Sequence, residues 1–196
     1  MDYFRRIYTE NPDHKDALCN LIRDNITEGL LNDQGMDAKR TTEYLHKEFP
    51  DHPELQQALK YITGAGLLLA SHAFSGNKRK YHTDMYDDLI SSGKARTMGG
   101  SLNFKRENFK LTHCWGNLFN KGMGIMEHNH FPLTISFSHY INIPSGSSFM
   151  ILNGNTVEIE EGDIIYFPSY MTHSVPENNS EDRIALIGNI LYTLDE

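Results

Sequence analysis

Two histidine clusters stand where their side chains can converge on one ion. The first reads Gly122-Met-Gly-Ile-Met-Glu-His128-Asn-His130; the second reads Gly162-Asp-Ile-Ile-Tyr-Phe-Pro168-Ser-Tyr-Met-Thr-His173, about 45 residues on. Imidazole is a good ligand for Fe, Zn, Cu and Ni. Extended backbone throws residues i and i+2 to the same face, so the spacing predicts that His128 and His130 share an ion. His173 completes a facial trio if the sheet closes on itself. On the same parity Glu127 and Asn129 point the other way, which makes Glu127 a poor ligand although it is the nearest carboxylate. No carboxylate is then evidently placed as the general base of a Zn²⁺ hydrolase. Ten residues past His173, Arg183 enters the apolar run Ile184 to Ile187. Pointing inward, its guanidinium needs an anionic partner; pointing outward, it is a surface arginine at a strand end.

The other histidines are treated one by one. His14, His46, His52, His72 and His82 fall in the helical or polar half and carry no assigned role. His113 and His139 fall in strands and could line a cavity. His139 shares the parity of Phe137 and Ile141, which predicts a packed face.

The elements that must position these groups divide the chain in two. Residues 1–95 read as a mostly helical region packing on a core. Leu18, Leu21, Ile22 and Ile26 form one stripe with helical period over Asp16 to Ile26. Thr41 to Phe49 suits a short helix ended by Pro50, and Pro53 opens a longer one running to about Phe74. Residues 96–196 carry short apolar or alternating runs separated by turn residues. Strands are predicted over Leu111–Phe119, Leu133–Ile143, Ser148–Leu152, Thr156–Ile159, Asp163–Phe167 and Arg183–Ile187, with a tight turn at Asn153-Gly154-Asn155. Several short strands at regular spacing argue for a sandwich or barrel, with the helices as a cover in one overall unit.

Composition sets the bounds. The chain has 196 residues, 39% hydrophobic and 22% charged, with a formal charge of −8. That charge argues against general affinity for a nucleic-acid backbone. The basic run Asn77-Lys-Arg-Lys80 reads as a solvated loop. No apolar run reaches the ~18 residues of a membrane span, and the N-terminus lacks the apolar core of a secretory signal. Cys19 and Cys114 form no motif and read as reduced, buried thiols. A cytoplasmic location is the default.

From Trp115 to Asn189 the sequence resembles the 2-oxoglutarate/Fe(II)-dependent oxygenases of the double-stranded β-helix, or cupin-like, superfamily. The resemblance is carried in order by five pieces. They are Trp115-Gly-Asn117-Leu-Phe-Asn-Lys-Gly122, His128-Asn-His130, Ile135-Ser-Phe-Ser-His-Tyr140-Ile-Asn-Ile-Pro144, Glu161 to Ser169 with His173-Ser-Val-Pro, and Arg183-Ile-Ala-Leu-Ile-Gly-Asn189. It implies a mainly β protein, a jelly roll of about eight strands with N-terminal helices. It also implies Fe(II) held by His128 and His173 with His130, and hydroxylation of a small-molecule or peptide substrate with release of succinate and CO₂. Arg183 would hold the far carboxylate of 2-oxoglutarate through a planar two-point contact. Asn189, on Arg183's face, would contact the keto-acid end. Tyr140, on the polar parity of Thr134, Ser136 and Ser138, would line the cavity, and Asn117 would donate to the same ligand.

One departure is plain. His130 stands where the commonest form of this site has a carboxylate, and three neutral imidazoles leave the metal's 2+ charge uncompensated. A His-x-His arrangement also resembles the three-histidine cupin enzymes, which use no keto acid, and cupin-like modules that only bind a metal or small ligand. The glutamate expected in cupins is missing, since Pro132, Leu133 and Thr134 stand there, and the cupin pattern does not explain Arg183. The oligomeric state is left open, a homodimer included.

Overall fold

The alternation read in the sequence becomes a pair of facing sheets. In the computed structural model, residues 3–8, 11–27, 38–67, 97–98, 101–102 and 106–193 are described. Four strands supply the wall of the core: β5 (Phe109–Phe119), β7 (Ile135–Asn142), β10 (Asp163–Pro168) and β12 (Arg183–Tyr192). Four shorter ones face them: β6 (Ile125–His128), β8 (Met150–Leu152), β9 (Asn155–Val157) and β11 (His173–Val175). The chain passes back and forth between the two, giving antiparallel orders β10-β7-β12-β5 and β6-β11-β8-β9. This is a double-stranded β-helix, as expected. The β8–β9 hairpin turns at Asn153 and Gly154, whose φ values of 49° and 75° suit a tight turn between right-twisted strands.

The N-terminal half is less purely helical than expected. It contributes β1 (Phe4–Ile7), paired with β10, and β2 (Lys39–Arg40), paired with β5, so the large sheet has six strands, ordered β1-β10-β7-β12-β5-β2. Arg5 anchors β1 through a hydrogen-bonded ion pair with the buried Asp163, Nε to Oδ1 being 2.8 Å. A separate hairpin joins β3 (Thr97–Met98) to β4 (Ser101–Leu102).

The helices follow their local signals. In α1 (Pro12–Asp24), Asn11 Oδ1 accepts from the His14 N–H at 2.8 Å and Pro12 takes the first turn, where no donor is needed. After α2 (Leu45–Glu48), α3 (Pro53–Tyr61) opens with His52 as its cap and runs into a π-helical turn, Ile62–Gly66. The expected continuation from 68 to Phe74, and the basic run at 77–80, lie outside the described residues. No helix among the described residues is long and apolar enough to cross a membrane.

Parity divides the large sheet into two faces. Phe137 and Ile141 of β7, with Ile184, Leu186 and Ile190 of β12, meet Leu18, Ile22, Leu55 and Ile62 of the helical layer in the main core. His139 is buried on this packed side, its Nδ1 3.2 Å from the Asp163 carbonyl. The opposite parity faces the small sheet. There Tyr140, Met150, Leu152, Ile165, Phe167 and Ala185 form a second apolar cluster, beside a cavity of about 580 Å³. Cys19 and Cys114 are buried free thiols.

Candidate metal centre

The cavity wall is built in cross-strand rows. At its floor Arg183 of β12 pairs with Phe119 of β5. The next row is Asn117–Ala185–Tyr140, then Trp115–Ile187–Ser138, then His113–Asn189–Ser136, read across β5, β12 and β7. Small Ala185, buried between Asn117 and Tyr140, leaves open space above the arginine. The expected residues Asn117, Tyr140, Arg183 and Asn189 all line this one cavity, with His128, His130 and His173.

The three histidines come from the small sheet. His128 ends β6 and His173 opens β11, and the two are direct cross-strand partners with ring centroids 4.3 Å apart. His130 lies beyond the strand, so the i, i+2 argument does not hold in its simple form: β6 stops at His128. The His130 N–H donates to the Ser169 carbonyl at 2.8 Å, and its ring packs edge-on against Trp115 at 5.7 Å. These contacts return it to the cluster, 4.9 Å from the His173 ring. Asn129, no longer on a strand, accepts from the Phe131 N–H at 3.1 Å. One nitrogen from each of the three histidines lies within 4.8 Å of the other two.

Their chemistry is that of a ligand set. His128 Nδ1 lies 2.9 Å from the Met126 carbonyl and His173 Nδ1 lies 3.3 Å from that of Met171. A carbonyl only accepts, so both rings carry the proton on Nδ1 and present a lone pair on Nε2. His130 Nε2 is buried with no hydrogen-bond partner among the described residues. Burial lowers the pKa of all three, helped for His130 and His173 by the neighbouring imidazoles, to about 4 for His130 and about 3 for His173. The trio is neutral at neutral pH and ready to ligate. A divalent cation fits this donor set, and it would satisfy the orphaned His130 nitrogen.

The floor has the opposite character. Arg183 is 1% exposed, with its guanidinium carbon 4.4 Å over the Phe119 ring and 5.5 Å from that of Tyr140. Its Nε and Nη1 are buried without a hydrogen-bond partner among the described residues. Burial lowers its pKa, opposed by Tyr140, yet a guanidinium stays charged. A buried, charged, two-point donor of this kind fits a carboxylate. Sequence reasoning left four residues in or behind the cavity wall without a role: Trp115 against His130, Phe167 packed 4.8 Å from His173, and the hydrogen-bonded pair Ser136 and Ser169. The parity of Trp115 with Asn117 was the signal for the first.

Solved structures share this fold. A viral collagen prolyl hydroxylase from Paramecium bursaria Chlorella virus 1, in its 2OG complex, aligns with a TM-score of 0.53 and 11% identity, over 97% of this chain and 96% of that one. A prolyl-4-hydroxylase from Pseudomonas putida aligns at 0.52 and 14%, over 98% and 93%. A Trichoplax adhaerens prolyl hydroxylase, in complex with a hypoxia inducible factor peptide fragment, aligns at 0.54 and 13%, over 96% and 83%. No protein-family model and no curated protein matches the chain. The chain thus has the double-stranded β-helix fold seen in 2-oxoglutarate/Fe(II) oxygenases, with a three-histidine group inside it.

Proposed function

We propose that this protein is an Fe(II)- and 2-oxoglutarate-dependent oxygenase that hydroxylates an organic substrate. The observation that carries this reading is the buried Arg183 guanidinium, whose Nε and Nη1 have no hydrogen-bond partner among the described residues, at the floor of the cavity that holds the histidine trio. A metal site alone explains the histidines; only a bound anion explains a charged group left bare in an apolar wall. A cupin that uses no keto acid has no task for it.

His128, His130 and His173 hold the metal, and Arg183 binds the far carboxylate of 2-oxoglutarate. Tyr140 and Asn117 flank that carboxylate from the row above the floor. When bound, Fe(II) and 2-oxoglutarate supply the oxidation: one oxygen atom of O₂ goes to the substrate and the other to succinate, with loss of CO₂. Phe119, Ile187 and Trp115 keep water from the reacting volume, which suppresses side reactions.

The test is an anaerobic titration with Fe(II) and then 2-oxoglutarate, followed by visible absorption. A metal-to-ligand charge-transfer band is expected, and it should vanish in Arg183→Ala and His173→Ala. Iron bound without any such band would overturn the proposal in favour of a three-histidine cupin enzyme.

A further inference from the structure

The row His113–Asn189–Ser136 lies on the far side of the histidine trio from Arg183, because Trp115, one row nearer the floor, is the residue that touches His130. From Arg183 to Asn189 the strand advances ~20 Å, more than a short diacid spans. This row therefore faces whatever shares the cavity with 2-oxoglutarate, a statement that rests on the oxygenase reading. Hydrogen bonds behind the row set the polarity of two of its groups. Thr112 Oγ1 donates its one proton to the Asn189 carbonyl at 2.9 Å, so towards His113 Nδ1, 3.1 Å away, the same oxygen only accepts. When the His113 ring carries a single proton, that proton then sits on Nδ1 and the lone pair on Nε2. Ser136 Oγ donates to Asn189 Oδ1 at 2.7 Å, and the Asn189 Nδ2 hydrogens have no acceptor among the described residues.

We propose that His113 and Asn189 form a recognition pair for an amide edge of the prime substrate, His113 Nε2 accepting its N–H and Asn189 Nδ2 donating to its C=O. The two residues are direct cross-strand partners on the cavity wall, a relationship that sets Cβ atoms ~5 Å apart. The matching chemistry has N–H and C=O on one side. One extended peptide residue offers that pair, as it does in an antiparallel ladder, and so does a primary carboxamide. The two groups of a single trans amide point in opposite directions and do not fit. Apolar surface flanks the pair: the Tyr44 ring stands 5.6 Å from that of His113, and Phe131, 62% exposed, lines the cavity mouth. This assignment moves Asn189 from the keto acid to the substrate.

Two NMR measurements on ¹⁵N-labelled protein test the pair. Long-range ¹H–¹⁵N correlations read the His113 tautomer, its signals identified by their loss in His113→Ala; Nδ1–H is expected, and Nε2–H would overturn the proposal. The protein with Zn(II) and 2-oxoglutarate is then titrated with acetamide, with N-acetylalanine N-methylamide and with N,N-dimethylacetamide, which has no N–H. One of the first two should bind at least tenfold tighter than the third, moving the Asn189 side-chain amide and His113 Nε2 signals. That preference should collapse in His113→Ala. The dipeptide analogue binding more tightly identifies a peptide, and acetamide a carboxamide. Equal binding of all three, or none, would overturn the pair. Binding of 2-oxoglutarate is followed in the same samples, so its failure alongside selective amide binding sinks the oxygenase reading and leaves the pair standing.

Discussion

Arg183 and Phe119 are direct partners across β12 and β5, and the guanidinium lies 4.4 Å over the ring, its Nε and Nη1 without a hydrogen-bond partner among the described residues. A cation–π contact offsets part of the cost of burying a charge, but not the loss of hydrogen bonds to water. With no anion bound, burying this guanidinium is destabilising.

Arg183→Met should therefore stabilise the protein in the absence of 2-oxoglutarate, by about 1–3 kcal/mol. It should also remove the stabilisation by 2-oxoglutarate, about 2.7 kcal/mol at a hundredfold excess over Kd for the native residue. Thermal unfolding with and without the diacid measures both effects. An Arg183→Met protein stabilised by 2-oxoglutarate as much as the native one would refute the assignment.

His130 completes the trio with no charge of its own. His130→Asp should supply one negative charge and tighten Fe(II) binding to the diacid-free protein by roughly tenfold, since opposite charges at contact attract strongly when partly buried. His130→Ala should weaken it by at least about 100-fold, the upper end of what even supporting residues contribute. Anaerobic calorimetry separates the outcomes. Unchanged affinity in His130→Ala would remove this histidine from the ligand set.

Much of this arrangement was legible in the sequence. The runs Leu133–Ile143 and Arg183–Ile187 identified the two central strands, the second of which continues to Tyr192, and parity placed Tyr140 on the cavity side and His139 on the packed side. The rest depends on contacts distant in sequence. β1 is four residues long and exists through pairing with Asp163–Tyr166; β2 is two residues held by Asn117 and Leu118. His130 reaches the trio through Ser169 and Trp115 rather than by continuing a strand. The polarity of His113 was hidden for the same reason, since it depends on where the Thr112 proton goes.

The trio also predicts an acid-sensitive fold. His130 and His173 titrate at about 4 and about 3 when folded, against an ordinary value near 6.5. Below pH ~6.5 the unfolded chain binds more protons than the folded one, so stability falls with pH. The loss should amount to at most about 1.4 kcal/mol per pH unit for each group. It should continue until His130, and then His173, protonates in the folded state. Denaturant titrations of metal-free protein from pH 7 to pH 4 check this. The double variant His130→Gln, His173→Gln should flatten the slope; an equally steep slope in that variant would place the acid sensitivity elsewhere.

The helical cover is tied to the cavity wall at Gly116. This glycine sits in β5 between Trp115 and Asn117, both cavity residues, and its own free face meets α1: a Cβ there would lie 2.5–2.9 Å from three side-chain carbons of Ile22. Gly116→Ala should destabilise the protein by about 1–3 kcal/mol through overpacking. The obstacle is a side chain rather than backbone, so removing it should relieve the strain. Ile22→Ala alone opens a cavity costing about 2–5 kcal/mol, whereas in the Gly116→Ala background the same change should cost at least 1 kcal/mol less, a coupling within the range of contacting pairs. Gly188 makes the contrast. A Cβ there would meet the Phe137 ring at 2.5 Å and the His113 carbonyl at 2.9 Å. Trimming Phe137 should relieve Gly188→Ala only in part, because the backbone of β5 cannot step aside without displacing His113. A complete double-mutant cycle by chemical denaturation measures both couplings, and strict additivity at Gly116 would show that α1 does not bear on the wall of the site.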